Sequence, residues 1–199
     1  MGILHQALNG QKYHVGASLF QNKLGEKLFS ERVSIVGDFS GKDITYTSFF
    51  DSEGVVREND TVTFIENGVL KNLMTDKKYA SLIGTESTAC AASAYDGAPS
   101  LSACPICIAP TGQTAEELIG GKDAILVLSA DGGDWTDAGN FASPVQFAYL
   151  CRVGKLIGRL PEFNMTIKLD ELLGDRFVGC STDKFFGGDR ILTFRGTIL

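Results

Sequence analysis

Asn67 and Gly68 restrict the folding of this chain more than any other pair of residues. Both tolerate positive φ, and they stand between Thr61-Val62-Thr63-Phe64-Ile65-Glu66 and Val69-Leu70, with Val62 and Phe64 alternating onto one face. That pattern specifies a two-residue β-hairpin. The 23 glycines fall largely between other short β-prone runs, which favours a sheet-rich fold with tight turns over a helical bundle. Strands are expected over 32–36, 44–50, 61–66, 69–75, 106–109, 124–129, 142–152, 155–157, 164–167 and 191–199. Helical punctuation is sparser. Thr75-Asp76 opens a run that stops at Gly84, Thr114-Ala115-Glu116-Glu117 forms a capping box before Gly120, and 168–173 stops at Gly174. Residues 17–29 carry Leu19, Phe20, Lys23, Leu24, Lys27 and Leu28 at near-helical spacing, interrupted by Gly25. The stretch 86–103, rich in Ala, Ser and Gly, reads as a loop. The expected class is α+β, predominantly β, with mixed or antiparallel sheets and a few short helices, over a single domain of residues 1–199.

Charge and apolar content exclude several functions. With 44% hydrophobic and 21% charged residues over 199 positions, the chain can bury a real core. Its 24 acidic residues against 18 basic ones leave a net charge of −6, and no Lys/Arg stripe is placed to neutralise successive phosphates. Direct nucleic-acid binding is therefore not expected. No apolar run reaches the ~20 residues of a membrane-spanning helix, and Met1-Gly2-Ile3-Leu4-His5 does not resemble a signal peptide. Cytoplasmic residence is the expectation. Five scattered cysteines, Cys90, Cys104, Cys107, Cys151 and Cys180, do not make a disulfide framework and read as reduced, mostly buried thiols.

Candidate chemistry is thin. The two histidines, His5 and His14, precede Gln6 and Val15, so neither can begin a His-Glu zinc helix. Cys104-Pro105-Ile106-Cys107 has the spacing of a redox pair or half a zinc site, but it leads into a strand and not a helix, and no second pair accompanies it. Asp131, Asp134 and Asp137 stand three apart in a Gly-rich loop, without the every-second-residue ligands or closing glutamate of a calcium loop. Gly120-Gly121-Lys122 lacks the Ser/Thr of a phosphate loop, since Asp123 follows.

Longer stretches carry a resemblance. Asp51-Ser52-Glu53-Gly54, followed by a strand and Glu66-Asn67-Gly68-Val69-Leu70, resembles the C-terminal domain of the TldD/PmbA family, peptidase-related proteins once named modulators of DNA gyrase. Collinear with it are Lys23-Leu24-Gly25-Glu26-Lys27-Leu28-Phe29, Ser87-Thr88 at the family's Ser-Thr-Gly-Asn with Ala89-Cys90 in place of Gly-Asn, and Ala138-Gly139-Asn140-Phe141-Ala142 at its Thr-Gly-Asp-Phe-Ser. Gly154-Lys155-Leu156-Ile157-Gly158 and the run 169–173 match its tail.

The resemblance implies a sheet-rich, partly barrel-like module of the TldE/PmbA kind, non-catalytic in itself. It would pair with a TldD-like subunit whose His-Glu-x-x-x-His helix holds zinc and cleaves unfolded or short linear peptides. That histidine helix is absent here, and Cys180 stands where relatives have Asn. No cofactor, metal ligand or catalytic residue is therefore carried over, and zinc is expected only in the partner. Gly132, Gly133, Asp134, Gly139 and Asn140 are the candidates for contact with peptide, because close backbone approach favours glycine and polar groups can meet peptide donors. The alternative is a module that associates with itself through exposed sheet edges such as 191–199.

Overall fold

The computed structural model describes residues 2–40, 48–185 and 188–196, with the side chain of Glu58 excepted. The expected strand at 44–50 and the end of that at 191–199 thus lie partly outside the described residues. Two compact packing units emerge, Met1–Ala109 and Pro110–Leu199.

In the first unit, helices α1 (Gly2–Leu8) and α2 (Gly10–His14) precede a four-stranded antiparallel sheet. Its strands are β1 (Ile35–Asp38), β2 (Thr61–Glu66), β3 (Val69–Leu70) and β6 (Cys107–Ile108), in the order β3-β2-β1-β6. The hairpin forms as the sequence predicts, with Asn67 at φ 49° and Gly68 at φ 79°. A Cβ on Gly68 would lie 2.3 Å from the Phe29 carbonyl oxygen, so this glycine is required by packing as well as by φ. Ile35, Phe64, Ile65 and Leu70 are fully buried, with Leu8 and Met74, and form the centre of the core.

Residues 17–29 do not form the helix that their spacing predicts. Asn22 and Gly25 take positive φ, and the backbone turns outward to pair with the hairpin. The Gly25 amide donates to the Leu70 carbonyl, Leu70 donates to Glu26, and Leu28 donates to Gly68. Bonds to β3 replace the i−4 bonds a helix would need. The unit also contains α3 (Lys77–Ile83), capped by the Asp76 carboxylate and ended by left-handed Gly84, and a small hairpin of β4 (Ala91–Ala92) and β5 (Ser100–Leu101) inside the expected loop.

The second unit opens with α4 (Ala115–Ile119), whose Thr114 and Glu117 complete the predicted capping box. Strands β7 (Ala124–Ser129), β10 (Phe147–Arg152) and β11 (Lys155–Arg159) form one sheet in the order β11-β10-β7. A second, in the order β12-β9-β8, contains β8 (Asp134–Trp135), β9 (Asn140–Val145) and β12 (Phe163–Lys168). The single strand expected over 142–152 is thus two, each the centre of a different sheet. The break falls at Gln146, where the ladder of β9 ends just past Pro144, which has no N–H to donate. Gln146 donates its amide to Ser129, exchanges side-chain bonds with the Asp131 backbone, and accepts from the Arg159 guanidinium. After α5 (Leu169–Leu173), β13 (Phe177–Lys184) pairs with β14 (Arg190–Phe194). Gly179 lets α4 approach: a Cβ there would stand 2.4 Å from a Leu118 methyl.

The described strands are antiparallel and the helices short, as expected for a predominantly β, α+β chain. No sheet closes on itself among the described residues, so the expected partly barrel-like arrangement is not seen there.

Candidate functional site

A cleft of about 230 Å³ opens in the first unit between the Asp-x-Glu-Gly turn and the β4–β5 hairpin. Asp51 is the organising residue. It is 4% exposed, and its Oδ1 accepts from the Glu53 and Val55 amides at 2.9 Å each, an Asx-type turn that Gly54 completes at φ 74°. Its Oδ2 accepts from the Ala91 amide at 3.1 Å, and the Ser52 amide donates back to the Ala91 carbonyl. The motif's carboxylate is therefore spent on backbone donors and ties the turn to β4.

Arg57 reaches across the same wall. Its guanidinium lies 3.8 Å from the centre of the Phe39 ring and donates to the carbonyls of Ser48 and Ala89. The Nε is buried and has no acceptor among the described residues. Burial pushes the Arg57 pKa down, while Asp51 and Asp60 act against that shift.

Ala89 takes φ 55° at 2% exposure, a left-handed conformation that costs an L-residue about 1–2 kcal/mol. This is the position where the family pattern has glycine. Beside it, Thr88 Oγ1 donates to the Leu73 carbonyl and accepts from the Thr75 amide, so Ser87-Thr88 anchors the entry to α3.

Cys90 is joined to Cys104 by a disulfide, Cα to Cα 5.7 Å, which corrects the reading of five reduced thiols. The bond closes the β4–β5 hairpin at its base. Chain separation of 14 residues with no local motif hides such a pair from the sequence. Because Cys104 is bonded to Cys90, the Cys104/Cys107 redox or zinc pairing is not formed; Cys107 sits half-buried on β6. Cys151 and Cys180 are buried, and burial pushes the Cys180 thiol up, with Arg190 acting the other way.

The five residues expected to meet peptide lie on the β8–β9 hairpin, at its two ends. Gly132 takes φ 84° with open space where a Cβ would project, whereas a Cβ on Gly133 would fall 2.2 Å from that of Ser143. Gly133 is thus required for β8 to approach β9. Asp134 accepts from the Trp135 amide, and Trp135 packs on Phe141 with ring centres 4.9 Å apart. At the other end Gly139 takes φ 78°, and Asn140 donates to Thr136 Oγ1. β8 is an edge strand of its sheet.

The chain has known relatives. The family model described as the PmbA/TldA metallopeptidase C-terminal domain matches residues 1–195. A metalloprotease TldD homologue of Buchnera aphidicola subsp. Schizaphis graminum is 32% identical over 162 residues, which cover 77% of this chain and 33% of that protein. An uncharacterised protein of Methanocaldococcus jannaschii is 29% identical over 157 residues, covering 77% and 36%. This chain therefore spans about a third of the length of the curated relatives it matches. Among solved structures, TldE from Thermococcus kodakarensis superposes with a TM-score of 0.78 at 24% identity, over 97% of this chain and 45% of that one. A protein of Bacteroides thetaiotaomicron described as a putative modulator of DNA gyrase gives 0.73 at 24%, over 97% and 41%. At that identity the two structures speak for the fold alone.

Proposed function

Since this chain belongs to the PmbA/TldD metallopeptidase family through its C-terminal domain, we propose that it is a non-catalytic, TldE-like module that pairs with a zinc-bearing TldD-like subunit. In this reading residues 1–199 act as one module that helps to enclose the unfolded or linear peptides its partner cleaves.

The two histidines carry the reading. His5 Nε2 lies 2.8 Å from the Cys104 carbonyl oxygen, and His14 packs against the Tyr79 ring at 6.3 Å between centres. Both serve packing, and neither is followed by a glutamate. A catalytic zinc needs three protein ligands and an open position. The donors do not fit one: among the described residues no three His, Cys, Asp or Glu side chains gather, and Cys90 and Cys104 are bonded to each other.

The β8–β9 hairpin is the surface proposed to meet peptide, with Gly132, Gly133 and Asp134 at one end, where β8 is the sheet's edge, and Gly139 and Asn140 at the other. An extended peptide can add to an edge strand through main-chain bonds, and Gly132 leaves the backbone open there. Cytoplasmic residence remains part of the proposal. Among the described residues no helix is long and apolar enough to cross a membrane.

The test is to purify the chain alone and together with a family member that bears His-Glu-x-x-x-His, then measure zinc content and peptide hydrolysis in each. The expected outcome is co-elution, with zinc and hydrolysis following the partner. Zinc-dependent hydrolysis by the chain alone would overturn the proposal.

A further inference from the structure

Arg57 is the one cation among the described residues that line the cleft of the first unit. A guanidinium carries five N–H donors. Two of them are bonded, from Nη1 to the Ser48 carbonyl at 2.7 Å and from Nη2 to the Ala89 carbonyl, and both acceptors are neutral. The others, Nε included, have no acceptor among the described residues, and no carboxylate there stands within ion-pair distance of Arg57. A cation held against the buried Phe39 ring with no anion beside it is costly, and an arriving counter-charge offsets that cost.

Asp51 does not fill that role. It belongs to the same wall, but its carboxylate is buried and accepts from the amides of Glu53, Val55 and Ala91, so it acts on Arg57 only through space. Ser52 and Ser102 also line the cleft, and their hydroxyls have no partner among the described residues. The rest of the wall is largely apolar, including Phe50, Ala92, Pro105 and the Cys90–Cys104 disulfide. At about 230 Å³ the cleft is smaller than the ~300–1,000 Å³ of a pocket for a drug-sized ligand. It has room for one amino-acid residue.

We infer that this cleft binds the C-terminal residue of a peptide, its carboxylate on Arg57 and its apolar side chain against Phe50 and Pro105. The carboxylate supplies the missing anion and accepts charge-assisted bonds from the guanidinium and a serine hydroxyl. A peptide is selected over a free amino acid, because the ammonium of the latter would enter a cleft whose one carboxylate among the described residues is already engaged by three amides. This assignment stands apart from the pairing proposed above, and its test needs neither a partner nor zinc.

The whole chain, labelled with 15N, is titrated at pH 7 and low salt with acetyl-Ala-Ala-Phe bearing a free C-terminal carboxylate, with the same peptide as its C-terminal amide, with free phenylalanine and with acetate, each to about 20 mM. The expected result is saturable binding of the acid that shifts the amides of Ser52, Ala91 and Ser102, with the other three ligands at least tenfold weaker. Arg57→Gln, checked for folding by circular dichroism, should lose the preference for acid over amide; the titrations of the unaltered chain decide the matter if that variant does not fold. No saturation by the acid, equal binding of acid and amide, binding of acetate or free phenylalanine as tight as that of the acid, or shifts confined to other residues would each overturn the assignment.

Discussion

Reducing the Cys90–Cys104 bond, or replacing both cysteines with alanine, should lower the thermal stability of the first unit by a calculable amount. The bond links residues 14 apart, and closing a loop of about 15 residues removes roughly 10 cal/mol/K of chain entropy from the unfolded state, or about 3 kcal/mol at 25 °C. For a unit of about 100 residues, 1 kcal/mol moves the melting temperature by about 4 °C or more, so the shift should be about 10 °C. The loop is already held in the folded state by Asp51, through its bond to Ala91, and by the Ser102 amide donating to Cys90. Little native structure should therefore be lost, and the effect should lie in the unfolded chain. Calorimetry with and without a phosphine reductant reads the shift, with intact mass recording the 2 Da change on reduction. The double-alanine variant should melt at the reduced temperature and ignore the reductant. A melting temperature that moves by less than about 2 °C, with mass proving the bond first present and then cut, would refute the argument. Disulfides are rare in the cytosol, so alkylation at the moment of cell lysis also tests the proposed compartment.

Other substitutions probe single positions. Gly68→Ala should cost at least about 2 kcal/mol in urea unfolding, because both φ 79° and the 2.3 Å approach to Phe29 forbid a Cβ. Ala89→Gly should stabilise by about 0.5–1 kcal/mol, the relief of φ 55° outweighing the extra freedom of an unfolded glycine; a loss of stability in urea would count against strain at that residue. Thr114→Ala should cost about 1 kcal/mol by removing the cap of α4, and Thr114→Ser should restore most of it.

What could be read in the sequence was what closes within a few residues. Asn67-Gly68 sets its own turn, and Thr114, Glu117 and Gly120 begin and end α4 by contacts inside one helical turn. Features settled by distant partners escaped. Residues 17–29 have helical spacing, yet their amides and carbonyls go to the hairpin strand around Val69 and Leu70. β13 went unread because three consecutive residues, Gly179 to Ser181, are buried where alternation would be the signal, and Gly179 is present to admit Leu118. At the cleft, Asp51 was visible as part of a turn motif. Its link to Ala91 spans 40 residues and the bond from Arg57 to Ala89 spans 32, while the Arg57 stack on Phe39 and the Cys90–Cys104 bond follow no local motif.

The passage of one backbone segment through two sheets has a consequence for how the second unit comes apart. β9 and β10 are the middle strands of their sheets, and only Gln146 separates them. Each middle strand satisfies the amides of the two strands beside it, so unzipping either one exposes unpaired groups on both of its neighbours. Strain carried along the chain past Gln146 then reaches the other sheet directly, since no flexible connector absorbs it. The two sheets should accordingly open in one cooperative step, with slow amide exchange shared across β9 and β10 and no stable state in which one sheet persists without the other.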